Sequence, residues 1–191
     1  MGGRSPPANA GCDGKQLVAA DPAEKMAARR LIAPRPGDAG AHVDVYVKSG
    51  LIRQYSLTGD PADRSKYRLG ILLDPKSRGG STAIHTGFKE GTQVKIGRPR
   101  NNFQMGSNVA QTILFAGGIG VTPMLNMAYA LEASGASWEM HYCGRTADRL
   151  AFTDELERFG DKVQVHIDSG PDDQKLDINS VLANAKSDKH I

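Results

Sequence analysis

Between residues 42 and 96, apolar and polar positions alternate along several short segments. Val43, Val45 and Val47 alternate with polar neighbours, which is the period of a strand with one buried face. Ser49-Gly50 predicts a tight turn between the first two strands. Short strands at this spacing are typical of a small antiparallel barrel or sandwich. The predicted strands cover residues 42–48, 51–57, 67–73 and 93–96.

After Gly106 the pattern changes to apolar strands that alternate with segments of helical spacing. Thr122 is predicted to cap the first helix, with Pro123 at its first position and Gly135 at its end. Strands are predicted over 112–116, 138–143 and 163–167. The two later helices are predicted from the spacing of Phe152, Leu156 and Phe159, and then of Ile178, Val181, Leu182 and Ala185. This alternation predicts a doubly wound α/β lobe with a parallel sheet.

The first 39 residues follow neither pattern and are rich in Ala, Gly, Pro and charge. A short helix is predicted over 23–32, ended by Pro34 and Pro36, and much of the segment is expected to be mobile. The sequence therefore predicts three parts. These are a mobile or divergent segment (1–39), a β-barrel lobe (40–106) and an α/β lobe (107–191).

The composition and charge of the chain argue against several kinds of partner and site. A net charge of +3 and the lack of a Lys/Arg run argue against a nucleic-acid partner. No apolar stretch approaches the roughly 18 residues of a membrane span, and no secretory signal is evident, so a cytoplasmic protein without a membrane partner is predicted. Cys12 and Cys143 lie far apart without metal spacing, which predicts reduced thiols and no metal site.

The first segment with candidate chemistry is Arg53-Gln54-Tyr55-Ser56-Leu57 at the end of a predicted strand. An aromatic ring, a hydroxyl and an arginine together can hold a flat heterocycle that carries a phosphate. An exposed arginine and a packed tyrosine are also common on ordinary strands, so the segment alone leaves both interpretations open.

The second segment, Arg78-Gly79-Gly80-Ser81, leads into a possible helix. Consecutive glycines let backbone N–H groups point at one spot, and with a serine and an arginine they form a phosphate cradle. A glycine turn with a solvated arginine is the alternative.

The third segment, 117–123, reads Gly-Gly-Ile-Gly-Val-Thr-Pro and joins a buried strand to a helix. Glycines at a helix start let a diphosphate or a nicotinamide approach the backbone. The spacing matches neither G-x-G-x-x-G nor the phosphoryl-transfer loop G-x-x-x-x-G-K-[ST]. A purely structural junction remains an alternative, although three glycines carry a conformational cost there.

Taken in order, the three segments resemble the ferredoxin–NADP reductase superfamily, and within it the phthalate dioxygenase reductase and vanillate O-demethylase reductase branch. The resemblance covers about residues 40–190. Supporting segments are Gly40-Ala41-His42-Val43-Asp44-Val45, Pro99-Arg100-Asn101-Asn102-Phe103 and His141-Tyr142-Cys143-Gly144-Arg145-Thr146.

The resemblance implies FMN (alternatively FAD) in the barrel lobe and NADH (alternatively NADPH) in the second lobe. Hydride would pass from the nicotinamide to the flavin, and single electrons would pass on to an oxygenase component or a separate [2Fe–2S] ferredoxin. No side chain is expected to act as a catalytic acid or base; Ser56 and Thr122 are the nearest candidates. The implied cofactor-binding residues are Arg53, Tyr55, Ser56, Leu57, Arg78, Gly79, Gly80, Ser81, Gly117, Gly118, Gly120, Val121, Thr122, Pro123, Arg145 and Thr146.

The sequence also departs from the family pattern. Family members carry a plant-type [2Fe–2S] domain after the nucleotide lobe, whereas this chain stops at His190-Ile191 and lacks the cluster cysteines. The first 39 residues do not resemble the first barrel strands of the family, so an incomplete barrel is expected. A free-standing flavin or ferredoxin reductase, or a truncated or inactive flavin-binding relic, is the alternative to an oxygenase reductase component.

Overall fold

The computed structural model of the chain describes residues 16–20, 25–29, 39–184 and 189–190. They form a six-stranded sheet that is antiparallel throughout, followed by a four-stranded parallel sheet with helices. This confirms the predicted class, an antiparallel β lobe followed by an α/β lobe with a parallel sheet.

The first sheet has the spatial order β3-β4-β5-β2-β1-β6. Between its two edges, the described residues make two isolated bridges, His42 with Arg100 and Val45 with Ile96. The sheet therefore curls towards a barrel that no continuous ladder closes, as expected for an incomplete barrel. The elements of this lobe are β1 (Gln16–Ala20), β2 (Lys25–Arg29), β3 (His42–Lys48), β4 (Leu51–Thr58), β5 (Lys66–Leu69), α1 (Gly80–Gly87) and β6 (Thr92–Gln93).

The core of this lobe follows the predicted alternation. Val43, Val45 and Val47 on β3 are buried, whereas Tyr46 and Lys48 between and after them are exposed. Successive side chains of a strand point to opposite faces, so one face of β3 packs inward and the other meets solvent. The rest of this core is formed by Ala41, Leu57, Tyr67, Leu69, Ile71, Ile84 and Val94.

Three predictions for this lobe differ from the structure. The strand predicted over 93–96 is β6 at Thr92–Gln93, followed by an isolated bridge at Ile96. The helix predicted over 23–32 is replaced by β2, which pairs with β1 on one side and β5 on the other. Pairing on both sides outweighs the helix propensity of an alanine-rich segment. β1 and β2 are thus the first strands of the barrel sheet, which the sequence did not predict. The strand predicted over 67–73 ends at Leu69. The predicted mobility of residues 1–39 concerns mainly residues outside the described ranges.

The second sheet has the order β10-β7-β8-β9, and all its pairs are parallel. The strand predicted over 163–167 is confirmed exactly, and the predicted strands 112–116 and 138–143 are confirmed within one residue. The elements are β7 (Gln111–Gly117), α2 (Val121–Ser134), β8 (Trp138–Gly144), α3 (Thr153–Leu156), β9 (Val163–Ile167), α4 (Ile178–Ala183) and β10 (Lys189–His190).

The helices of this lobe match the predictions less closely. The helix predicted through Phe159 is a single turn, α3, continued by a 3-10 segment at Glu157–Lys162. Ala185, predicted for the last helix, lies outside the described residues. Gly135 ends α2 in the left-handed conformation, as predicted, but Thr122 is not the cap. Gly120 precedes the helix instead, and the Thr122 hydroxyl donates to the Ile119 carbonyl at 3.1 Å.

Helix α2 covers one face of the parallel sheet. Leu125 and Ala128 on α2 pack in one cluster with Leu114, Met140 and Tyr142 of β7 and β8. None of the helices in the described part of the chain is long and apolar enough to cross a membrane. Within the same residues, no group of three or more His, Cys, Asp or Glu could hold a metal ion.

Candidate cofactor site

A cavity of about 480 Å³ lies where the two lobes meet. This volume is within the range of ordinary ligand sites. Its wall combines β4, the segment between β5 and α1, and the loop that leads into α2. The lining residues are Arg53, Gln54, Tyr55, Ser56, Gly70, Leu72, Asp74, Ser77, Arg78, Ser81, Ile119, Gly120, Thr122 and Pro123.

Strand β4 supplies the first wall. The Arg53 guanidinium donates to the Arg78 carbonyl at 3.1 Å and to the Ile52 carbonyl at 2.9 Å, which holds it beside the Arg78 loop. Tyr55 is half-buried, and burial raises the pKa of its hydroxyl although nearby Arg53 opposes the shift. Tyr55 is therefore a neutral ring at pH 7. Leu57 does not line the cavity and lies in the barrel core.

The Arg78–Ser81 loop supplies the second wall, and α1 begins in it, as predicted. Gly79 has a φ of 85° and Gly80 opens the helix. A Cβ on Gly80 would lie 2.6 Å from Nε of Arg53, so only glycine lets that side chain lie over the start of the helix. The first N–H groups of a helix lack intrahelical partners and favour an anion. With Arg53 and Arg78 beside them, they form a site suited to a phosphate.

The loop before α2 supplies the third wall. Gly118 has a φ of 48°, which favours glycine, but Gly117 and Gly120 have backbone angles open to any residue. A Cβ at Gly117, Gly118 or Gly120 would meet no atom of the described residues within 4 Å. Packing thus does not require these glycines, and their effect is to keep the loop surface open to a flat ligand. Val121 is buried beneath the loop and does not line the cavity.

Arg145 and Thr146 lie outside the cavity. They follow β8, and the ends of β7 and β8 are neighbours because Gly117 pairs with Cys143. The pair therefore lies on the same carboxyl edge of the sheet as the glycine loop, where open α/β sheets bind their ligands. Arg145 is exposed there.

Half of the predicted site residues line the cavity: Arg53, Tyr55, Ser56, Arg78, Ser81, Gly120, Thr122 and Pro123. Sequence reasoning assigned no role to Gly70, Leu72, Asp74 or Ser77. Gly70 had a signal, since a glycine inside a predicted strand often marks close approach of another group. A Cβ on Gly70 would lie 2.6 Å from Cγ2 of Thr122.

The cavity residues fit a flavin phosphate. Two arginines and an open helix start are placed for the anion, and Tyr55 and the open glycine loop border space for a flat ring. Ser56 and Thr122 both line the cavity, but no histidine does, so neither hydroxyl has a neighbouring imidazole base there. The arrangement can bind and orient a cofactor that brings its own chemistry.

Comparisons with known proteins identify the family to which the chain is similar. A scan against protein-family models finds no match. The vanillate O-demethylase oxidoreductase of Pseudomonas sp. strain HR199 is 48% identical over 158 residues, 82% of this chain and 50% of that protein. Phthalate dioxygenase reductase of Burkholderia cepacia is 37% identical over 159 residues, 82% of this chain and 49% of that protein. A solved structure of phthalate dioxygenase reductase matches with a TM-score of 0.84 at 31% identity, covering 94% of this chain and 59% of that one.

The antiparallel β lobe, the parallel α/β lobe and the cavity between them define a protein of the ferredoxin–NADP reductase class. Within that class, the chain belongs to the branch that contains phthalate dioxygenase reductase and vanillate O-demethylase reductase. It spans about half the length of the curated relatives that it matches.

Proposed function

We propose that this chain is the flavin- and nicotinamide-binding part of an oxygenase reductase, which takes hydride from NADH and passes electrons on. The observation that carries the proposal is the cavity between the lobes. It joins a cationic helix start on one side to an open glycine loop on the other. The names of the relatives, an O-demethylase oxidoreductase and a dioxygenase reductase, support the same activity.

For the barrel lobe, proposed as residues 40–106 together with β1 and β2, the ligand is FMN. Arg53, Arg78 and the Gly79–Ser81 backbone would hold its phosphate, and Tyr55 and Ser56 would flank its ring. A flavin held by these residues would supply the chemistry of hydride acceptance and single-electron release. The protein residues bind the cofactor and orient it, and no side chain has to transfer a proton.

For the α/β lobe, proposed as residues 107–191, the ligand is NADH. The loop from Gly117 to Thr122 would receive the nicotinamide end, and Arg145 with Thr146 the adenosine end, along the carboxyl edge of the sheet. Holding both rings in one cavity supplies the proximity and orientation that hydride transfer requires.

The proposed electron acceptor is an iron–sulfur protein or an oxygenase component, and the proposed location is the cytoplasm. The solved phthalate dioxygenase reductase is described as a modular structure for electron transfer from pyridine nucleotides to [2Fe–2S]. The two cysteines of this chain are too few for the four ligands of such a cluster, so the cluster would be supplied from outside these 191 residues.

Purified chain tests the proposal directly. We expect it to take up FMN with a yellow flavin spectrum, to bleach when NADH is added without oxygen, and to reduce an added [2Fe–2S] ferredoxin. Bleaching without ferredoxin reduction would instead support a free-standing flavin reductase. A colourless chain that takes up neither FMN nor FAD would contradict the proposal and leave an inactive relic.

A further inference from the structure

Asn126 ties helix α2 to the barrel lobe. The side chain is buried, its amide NH₂ donates to the Gly59 carbonyl at 2.8 Å, and its carbonyl oxygen accepts from the Gly40 N–H at 3.1 Å. Both hydrogen bonds cross from one lobe to the other. Leaving a buried polar group without a partner is costly, so these hydrogen bonds fix the relative position of the two lobes at this point.

Arg68 forms a second tie between the lobes. Its guanidinium on β5 makes two hydrogen bonds to the carboxylate of Glu155 on α3, at 2.8 Å and 2.5 Å. Both side chains are about one-fifth exposed, so solvent screens this pair less than a surface pair. The Tyr129 hydroxyl donates to the same carboxylate at 2.6 Å and accepts from Arg158 at 2.9 Å. Burial, and then the bond to Glu155, raise the pKa of Tyr129, which keeps its hydroxyl protonated as a donor.

Near these hydrogen bonds, residues of both lobes line the cavity and pack against each other. Gly70 packs so closely that a Cβ there would lie 2.6 Å from Thr122 and 2.9 Å from the ring of Phe152. Phe152 has a φ of 63°, which is rare for a bulky residue, and the Arg68 guanidinium lies 4.9 Å from its ring centre. Such a conformation persists only where surrounding contacts hold it. The lobes are thus fixed together where Gly70 and Thr122 line the cavity.

We propose that Asn126 and the Arg68–Glu155 pair are positioning residues for the hydride transfer. None of the three lines the cavity, yet together they set the position of the glycine loop relative to β4. Asn126 lies one turn after Thr122 on α2, so a shift at Asn126 is passed to the cavity wall. A misplacement of about 1 Å can slow a reaction by about 100-fold. This inference rests on the proposed function.

The test uses Asn126→Ala and Glu155→Gln in the full chain. Flavin-free protein is examined first, by hydrogen exchange at the Gly40 amide, where Asn126→Ala is expected to lose protection. Flavin-loaded protein is then mixed with NADH in a stopped-flow instrument. We expect the reduction rate at saturating NADH to fall at least about tenfold in each variant. The dissociation constants of FMN and NADH should stay within about twofold of wild type, because the ties do not contact the ligands.

Two controls remove similar interactions that stay inside one lobe. Ser134→Ala deletes a hydroxyl that donates to the Leu131 carbonyl, and Lys162→Gln breaks the ion pair with Glu132. Both should keep the wild-type reduction rate. If Asn126→Ala does not fold, Glu155→Gln decides the matter alone. Wild-type rates in the variants would overturn this inference while leaving the proposed function intact. A wild-type chain that NADH does not reduce would overturn both.

Discussion

The glycines of the site differ in what they do for the molecule. Gly80 makes room for a protein side chain, because Arg53 occupies the space that a Cβ would take. Gly117 and Gly120 face open space instead, and their backbone angles suit any residue. Glycine at position 80 therefore allows Arg53 to be placed, whereas glycine at positions 117 and 120 leaves room for a ligand.

Replacing Gly80 by alanine tests the placement of Arg53. The new methyl group would lie within 3 Å of Nε and Cγ of Arg53, and this flexible side chain must move away from the start of α1. We expect FMN to bind at least about tenfold more weakly, the loss of roughly one charge-assisted hydrogen bond. Riboflavin, which has no phosphate, should bind unchanged.

Gly87→Ala at the other end of α1 is the matched control, because a Cβ there meets no atom within 4 Å. Fluorescence titration of both variants, with melting curves to show that they fold, makes the comparison. Equal losses of affinity for FMN and riboflavin would argue against a phosphate at this helix start.

At the scale of elements, three aromatic rings lie across the parallel sheet. His141 on β8 stacks between Phe115 on β7 and His166 on β9, with ring centres 5.4 Å and 5.3 Å away. Nδ1 of His141 is 3.0 Å from Nε2 of His166. Nε2 of His141 is buried and has no hydrogen-bond partner among the residues that the structure describes. Burial lowers the pKa of both histidines, and the neighbouring His166 lowers that of His141 further.

These shifts predict that acid destabilises the second lobe. The unfolded chain takes up protons on both histidines near pH 6.5, whereas the folded chain resists them until the pH is lower. Their contribution to stability is therefore complete above about pH 7 and is lost as the pH falls below about 6.5. Each unit of pKa difference corresponds to about 1.4 kcal/mol. Glu139 opposes the shift of His141, and Asp168 that of His166, which limits the effect.

Urea unfolding at about pH 7.5 and about pH 5.5 measures this effect. The midpoint should fall on acidification in wild type and fall less in the double variant His141→Gln/His166→Gln. His42→Gln, in the other lobe, should keep the wild-type pH dependence. A double variant that loses as much stability in acid as wild type would show that the stacked pair is not the cause.

How far the sequence predicts each element depends on where its partners lie. β3 and β7 carry their own apolar pattern, so periodicity identifies them. β2 is a strand because it pairs with β1 and β5. Since β5 lies about 40 residues further along the sequence, the local pattern of residues 25–29 does not indicate this pairing. The motif residues of the cavity could be predicted from local chemistry. Asn126 could not, because its role depends on contacts across the lobe boundary. Gly70 gave only a general signal, a glycine inside a predicted strand, which does not identify Thr122 as its neighbour.

At the scale of the whole molecule, the two lobes carry opposite charge. Residues 40–106 contain eleven Lys and Arg against five Asp and Glu, whereas residues 107–191 contain seven against twelve. By these counts, the lobe proposed for FMN is basic and the lobe proposed for the dinucleotide is acidic. A basic lobe attracts an anionic ligand and an acidic lobe repels it, at distances longer than a direct contact.

This charge distribution predicts a preference for NADH over NADPH. NADPH carries an additional phosphate at the 2′ position, and an acidic lobe disfavours it unless a basic residue binds that group. We expect KM for NADPH to exceed KM for NADH by about tenfold at low salt, about 1.4 kcal/mol. The ratio should narrow as ionic strength rises from about 0.01 M to about 0.3 M, because salt screens charges beyond a Debye length.

Arg145 is the residue that could reverse this preference, since it is exposed at the carboxyl edge of the sheet beside the glycine loop. If Arg145 bound the 2′-phosphate, Arg145→Gln would raise KM for NADPH far more than KM for NADH, whereas Arg149→Gln, at an exposed arginine four residues further on, would not. If the acidic field governs the choice, both variants should raise the NADPH to NADH ratio slightly and by similar amounts, since each removes one positive charge from the same lobe. A ratio of KM for NADPH to KM for NADH below one in wild type, lost in Arg145→Gln and kept in Arg149→Gln, would contradict the repulsion by the acidic lobe. The selectivity would then come from a specific contact between Arg145 and the 2′-phosphate.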